Sequence, residues 1–507
     1  MTQIQPDLKT LNSLYDENNS VDEGINMYPV YAFLPALDLT PHVAYLKLAQ
    51  LNNSERHESF LLESAKTTNE LDRYSFIGVQ PRKIIKTGPT ENLEVDPLDV
   101  LQEEMAKFQL ATNVPGLPKL SGGAIGYISY DCVRYFEPKT KRDLKDVLKV
   151  PEAYLMMCDT IIAFDHVFQR FQIMHNINTD KQTLEEGYQT ATEIITNIIK
   201  TLTDNSKPIP YPEQPPIKLN QSFSSNIGQE GYENHVGNLI EHIKKGDVIQ
   251  AVPSQRVARP TSLHPFNIYR HLRTVNPSPY LFYIDCLDFQ IIGASPELLC
   301  KSDNKDKVIT HPIAGTIKRG KTTEEDDELG NQLRSSLKDR AEHVMLVDLA
   351  RNDINRVCDP KTTNVDKLLT IQKFSHVQHL VSQVSGTLRP DKTRFDAFRS
   401  IFPAGTVSGA PKVKAMELIS EMEGERRGVY AGAVGNWSYD GKTMDTCIAL
   451  RTMVYKEGTA FLQAGGGIVF DSDKYDEYIE TMNKMMANHN TIVQAENIWA
   501  ERVGTTD

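Results

Sequence analysis

The sequence predicts an α+β fold, and three observations carry that expectation. Long apolar runs punctuated by turn signals dominate the second half, as in "VIQAVPSQRVAR", "YLFYIDCLDFQIIGASPELLCKS" and "TAFLQAGGGIVFDS". Helical patterns are grouped around these runs and do not alternate with them one by one, which argues against a doubly wound sheet. The chain has 507 residues, 40% of them apolar, so it is long enough to need more than one lobe.

In chain order, residues 1–26 are polar and read as a flexible start. Residues 27–202 form a strand-rich first lobe, from "MYPVYAFLPA" through "GGAIGYISYDC" and "TIIAFDHVFQRFQIMH" to a closing helix, "EEGYQTATEIITNIIKTL". Residues 203–223 hold five prolines between Pro208 and Pro216, which block helix and central strand and leave an extended connector. The second lobe, 224–500, opens with the helical "GYENHVGNLIEHIKKGD" and continues through "VITHPIAGTIKRG" into one long helix over residues 323–349. It then passes through "AMELISEMEGERRG", "VYAGAVGNWSYD" and "DTCIALRTMVYKEG" and closes on the helical "YDEYIETMNKMMANHNTIVQAENIW".

Composition narrows the function. With 55 basic against 67 acidic residues and a net charge of −12, the chain lacks the basic footprint of a nucleic-acid or membrane-surface binder. No stretch approaches the roughly 18 apolar residues of a membrane span, and the N-terminus shows no targeting pattern. Six cysteines without CxxC pairs suit buried thiols in a reducing compartment, so a cytoplasmic enzyme is expected.

Two carboxylate pairs stand out. Asp339 and Glu342 are three apart in "KDRAEHVMLVDLARND", and Glu477 and Glu480 are three apart in "DEYIETMNK", so each pair shares a helix face. If the faces met, they would suit a hard cation such as Mg²⁺. On spacing alone, two solvated acidic faces are the commoner explanation. Gly465, Gly466 and Gly467 could let backbone amides approach an anion, or could simply bend a strand. Arg451, inside the apolar "IALRTMV", needs an anionic partner, either a ligand or an internal carboxylate. His379 lies among apolar residues as a core histidine would, and Glu297 follows a strand and a proline as a turn residue would.

Taken in order, "LLESAK", "GGAIGYISYD", "NPSPYLFY", "GASPELL", "PIAGT", "FPAGTVSGAPK", "QAGGGIV" and "DEYIETMNK" resemble the chorismate-utilising enzymes. Within them the chain is similar to the component I chains of fungal anthranilate synthases. The resemblance runs from about residue 27 to 500. It implies an antiparallel β-sandwich to which both lobes contribute strands, with helices packed outside. It assigns Mg²⁺ to Glu342 and Glu480 with Glu477 nearby, and leaves Asp339 to act through water, because many relatives carry glutamate there and the aspartate side chain is shorter. Chorismate would be held by Gly315, Thr316, Tyr430, Arg451, Gly465, Gly466, Gly467 and Lys484. Glu297 resembles the general acid that helps the C4 hydroxyl leave, His379 the residue that moves a proton as pyruvate is eliminated, and Thr406 a wall of the same pocket.

Two positions separate members of the family. Aminodeoxychorismate synthases carry a nucleophilic lysine in place of Ala314, and isochorismate and salicylate synthases carry a water-activating lysine in place of Gln250. Alanine and glutamine can do neither job, which leaves C2 open to free ammonia. Aminodeoxychorismate synthesis and a non-catalytic tryptophan-binding role are the rival readings. No cysteine sits in an amidotransferase elbow, so ammonia from glutamine is expected from a separate amidotransferase chain, component II. The resemblance also implies an inhibitory tryptophan site. It would be built from Leu62, Glu63 and Ser64, supported by Ser75, with Asn276, Pro277, Ser278, Pro279, Tyr280, Leu281 and Phe282.

Overall fold

The computed structural model describes residues 3–21, 24–65, 73–373 and 377–506. Lys66, the last residue of "LLESAK", lies outside them. Two large antiparallel sheets, of eleven and ten strands, organise the chain. The first runs from Met27–Pro35 at one edge, through Ser59–Glu63 and Tyr280–Asp285, to Thr459–Gly465, Ser254–Pro260 and Ser224–Ser225 at the other. The second runs from Ile313–Lys318 and Val377–Thr387 through Leu298–Ser302, Met444–Ile448 and Ala433–Ser438 to Gly123–Ile128, Ala153–Cys158 and Lys83–Thr87.

Both sheets therefore cross the boundary between the lobes. Ser59–Glu63 pairs with Tyr280–Asp285, placing Leu62 opposite Phe282, and Gly123–Ile128 pairs with Ala433–Ser438, placing Tyr127 opposite Val434. Phe60, Phe282, Tyr127 and Val434 share one buried core that draws on both sheets. Because the inter-strand hydrogen bonds are continuous across the junction, neither lobe closes its sheets alone.

Helices pack outside, each with a local cause. Leu184–Thr203 begins at a capping box made by Thr183 and Glu186, worth about 1 kcal/mol. It buries Leu184, Gly187, Ala191 and Ile195, spaced three or four apart, and packs on the strand Arg170–Asn178. The thirty-residue helix Lys474–Val503 starts where the Asp473 carboxylate accepts the amides of Tyr475 and Asp476.

Two expectations need correction. The single helix over residues 323–349 is two helices, Thr323–Ser335 and Leu337–Asn355, because Ser336 leaves helical geometry and its hydroxyl accepts the Asp339 amide at 3.3 Å. The polar start, expected to be flexible, carries a helix over Leu8–Val21 whose Leu11 is fully buried, and Gln5 pairs with Tyr31 of the first strand. All six cysteines are buried free thiols. Among the described residues no helix is long and apolar enough to cross a membrane.

Candidate active site

The chain passes between the two sheets at adjacent places, and these crossovers supply the site's charges. Phe289–Ser295 lies in the first sheet and Leu298–Ser302 in the second, so Pro296 and Glu297 make the crossing. Met444–Ile448 and Thr452–Lys456 repeat this in reverse, with Arg451 at φ 47° in the turn. The Glu297 carbonyl accepts the Ile448 amide at 3.0 Å and the Arg451 carbonyl accepts the Ala294 amide at 3.3 Å, which locks the two crossings together. A cavity of about 890 Å³ opens beside them.

Glu297 is 4% exposed, and its carboxylate accepts the Thr406 hydroxyl at 3.0 Å. Burial pushes its pKa up to about 8, against the Thr406 hydrogen bond, an Ile313 amide and the Arg451 charge. It is thus predominantly a neutral acid at pH 7. Arg451 makes no ion pair among the described residues, and burial lowers its pKa with Glu297 as the opposing charge. Of the two partners open to it from sequence, an internal carboxylate and a ligand, the structure supplies no fixed carboxylate.

Ala314, Gly315 and Thr316 line the cavity together with His379, for a local reason. The pairing of Ile313–Lys318 with Val377–Thr387 shifts register between Ala314 and Thr316, a bulge that needs Gly315 at φ 78°. The bulge turns the Gly315 carbonyl to His379 Nδ1 at 3.3 Å, with Thr316 Oγ1 at 2.9 Å. In the tautomer whose Nδ1 donates to the Gly315 carbonyl, Nε2 is the ring's acceptor nitrogen. Burial and the Arg451 charge depress His379 to about 4, which keeps it neutral.

The carboxylate helices meet at the glycine turn. A Cβ on Gly466 would lie 3.0 Å from Glu477 Oε2, and one on Gly467 would lie 3.4 Å from Glu342 Oε1, so both carboxylates flank bare backbone. A side chain at Gly467 would have to displace the Gln250 amide, since its Cβ would come within 2.3 Å of Gln250 Nε2. Gln250 donates to Glu342 at 2.9 Å, and its Oε1 is buried without a protein partner. Burial raises Glu342 and Glu477, and the neighbouring Glu480 raises both further. Glu480 pairs with Lys484 at 2.7 Å, and Lys484 also donates to the Gly465 carbonyl at 2.9 Å.

Among the described residues no group of three or more His, Cys, Asp or Glu forms a closed metal cage. Buried carboxylates with raised pKa values beside an orphaned amide oxygen nevertheless fit a hard cation that keeps several waters. Asp339 lines the same cavity beside Gly315, its Oδ1 3.3 Å from where a Gly315 Cβ would be, and its charge also raises Glu342. Tyr430, Gly465 and Gly467 line the cavity, whereas the Gly466 amide donates to the Tyr232 hydroxyl at 3.2 Å and is not offered to an anion. That corrects the expectation that all three glycine amides serve the ligand.

The segments expected to hold tryptophan are neighbours, but they present two faces. Glu63 opposes Leu281, Leu62 opposes both Phe282 and Phe76, and side chains alternate along each strand. On one face the Glu63 carboxylate is taken by Arg273, at 2.8 and 3.0 Å, and by Tyr269 at 2.6 Å. Ser75, fully buried, bonds His166 at 2.7 Å. On the other face Tyr280 reaches Asp445 of the second sheet at 2.9 Å. Asn276, Pro277 and Ser278 line the same cavity, as do Asn490, Thr491 and Gln494 of the last helix. Sequence reasoning missed that polar stretch because its three-to-four spacing looks like a solvated face.

A family description of chorismate binding enzymes matches residues 57–489. The anthranilate synthase component 1 of Saccharomyces cerevisiae is 81% identical over 99% of each chain. A probable anthranilate synthase component 1 of Schizosaccharomyces pombe is 56% identical over 98% of each. The crystal structure of anthranilate synthase component I from Streptococcus pneumoniae superposes with a TM-score of 0.73 at 34% identity, covering 90% of this chain and 98% of that one.

Proposed function

This chain belongs to the chorismate-binding enzyme family, and from that membership we propose that it converts chorismate and ammonia to anthranilate and pyruvate. It would act as the large chain of a cytoplasmic anthranilate synthase in tryptophan biosynthesis. One observation carries the choice of reaction: Ala314 and Gln250 stand in the same cavity as Glu297, so neither a protein nucleophile nor a base for water is present at those positions.

Glu297 donates its proton to the C4 hydroxyl, which leaves as water while the ammonia lone pair forms the C2–N bond and the ring double bonds shift. In the second step the C2 proton is removed, the bond to the enolpyruvyl oxygen breaks, the methylene carbon gains a proton, and the ring becomes aromatic. Neutral His379, with Nδ1 3.3 Å from the Gly315 carbonyl, would act as the base for this transfer. Arg451, Lys484, Tyr430 and the bare backbone at Gly465 and Gly467 would bind the substrate carboxylates in a locally positive pocket despite the net charge of −12. Glu342, Glu480 and Glu477 would hold Mg²⁺, which when bound neutralises a substrate carboxylate.

Ammonia would reach the site from glutamine through a separate amidotransferase chain. Tryptophan would inhibit by binding where Ser64 and Leu62 meet the turn from Asn276 to Phe282. The Ala65 amide donates to the Ser278 carbonyl at 2.9 Å, and the Ser278 hydroxyl donates to the Ser295 carbonyl at 2.5 Å, two residues before Glu297. A ligand that prefers one packing of these strands would act on Glu297 through that short path. The test of this reading is nitrogen source: the isolated chain is expected to use ammonium and not glutamine, and glutamine use without a second chain would contradict it.

A further inference from the structure

Behind the cavity wall lies Arg427, 2% exposed and outside every role assigned so far. Its guanidinium spans three segments remote from one another in sequence. Nη1 donates to the Val407 carbonyl at 2.9 Å and Nη2 to the Val252 carbonyl at 2.7 Å. Nε and Nη2 also grip the Glu423 carboxylate at 2.9 and 2.8 Å. The same carboxylate accepts the Ser254 amide and hydroxyl at 2.7 and 2.8 Å. The guanidinium plane lies over Tyr130 at 4.5 Å and near Tyr430 at 5.5 Å. The first lobe holds the segment from outside, through the Asp131 carboxylate on the Arg427 and Gly428 amides at 3.3 and 2.7 Å.

Val252, Val407 and Tyr430 each line the cavity, and Arg427 does not. The Val407 carbonyl closes the short turn Gly405–Val407 that carries Thr406, the hydroxyl donor to Glu297. A planar fork of five donors can fix several acceptors at once, and a lysine ammonium cannot reproduce it. We propose that Arg427 is a positioning residue for the proton transfer from Glu297. It pins the Val407 and Val252 carbonyls and the Tyr430 ring, and so sets the Thr406 hydroxyl against the Glu297 carboxyl. This rests on the reading of Glu297 as the acid.

The charge acting directly on Glu297 is Arg451, and its other polar contacts are Thr406 and the Ile313 amide. Of these contacts, Thr406 is the one whose turn Arg427 holds, through the Val407 carbonyl, so its effect on Glu297 is expected to run through Thr406. The Thr406 bond favours the ionised carboxylate, so loosening it makes Glu297 a weaker acid and moves the alkaline limb of activity to higher pH.

The experiment measures kcat, the chorismate KM and the pH profile of kcat/KM, holding free ammonia base constant at each pH. It compares the wild type with Thr406→Val, Arg427→Lys and Glu423→Gln, alongside thermal melting. Thr406→Val is expected to shift the limb upward and so calibrates the readout. Arg427→Lys should shift it the same way and lower kcat on the order of tenfold, with chorismate KM within about twofold. If Arg427→Lys does not fold, Glu423→Gln decides, with a smaller shift in the same direction. A uniform loss of rate with an unmoved limb, or an unchanged kcat, would overturn the proposal. A wild type with no alkaline limb would remove the acid role of Glu297 and this inference with it.

Discussion

Replacing Glu297 with glutamine should weaken the enzyme and strengthen the fold, and the two effects have the same origin. The side chain keeps its shape and its oxygen still accepts the Thr406 hydroxyl, but it has no proton to give. Loss of a general acid costs on the order of 10²–10⁴ in kcat. Stability moves the other way. The carboxyl titrates from 4.5 ordinarily to about 8 here, so between those values the folded chain binds a proton that the unfolded chain has released. Its contribution to stability is complete below 4.5 and is lost as pH rises through 8. At pH 7 the cost is about 3 to 4 kcal/mol, from roughly 1.4 kcal/mol per unit over the 2.5 units between 4.5 and 7. Glutamine does not titrate and does not incur it. Anthranilate fluorescence gives the rate, and melting midpoints at about pH 5 and about pH 8 give the stability. The variant's advantage should be small at the lower pH and large at the higher. An equal midpoint difference at both, with kcat within about threefold of wild type, would refute the reasoning.

Ala314→Lys would fill the cavity wall where ammonia must approach C2, so anthranilate formation should fall below detection; substantial turnover would take residue 314 out of the attack path. Glu480→Gln removes a charge from the carboxylate group and leaves Lys484 without its ion pair, so activity should drop on the order of a hundredfold with the circular dichroism spectrum unchanged. Retained activity and unchanged dependence on added Mg²⁺ would return Glu480 to the solvated surface. Ser64→Arg should relieve inhibition by tryptophan with little loss of uninhibited rate, read as a rightward shift of the inhibition curve on the order of tenfold or more. Identical curves would remove Ser64 from the site.

The pieces of the site were legible, but their assembly was less so. Arg451 and Glu297 are visible as charges interrupting apolar strands, yet nothing in the local pattern says that each stands where the chain changes sheet. The glycine at 315 announces a special conformation, and the bulge that turns its carbonyl to His379 depends on a strand sixty residues away. Alternation along Ser59–Glu63 could have separated Glu63 from Leu62 and Ser64 in advance, because the period of two was in the sequence. The break at Ser336 was hidden because apolar spacing continues across it and only the hydroxyl cap marks it. Arg427 was not legible. In "GERRGVY" it looks like a surface turn, and its burial follows from the carbonyls of Val252 and Val407, which long-range folding brings to it.

In the proposed reaction free ammonia attacks chorismate in a cavity with no lysine nucleophile at position 314 and no lysine base at position 250. It is tested most directly by incubating the purified chain with chorismate, Mg²⁺ and ¹⁵N-labelled ammonium and identifying the products by mass spectrometry. ¹⁵N-anthranilate and pyruvate are expected in equal amounts. Isochorismate, or a labelled amino product that keeps its enolpyruvyl group, would contradict it.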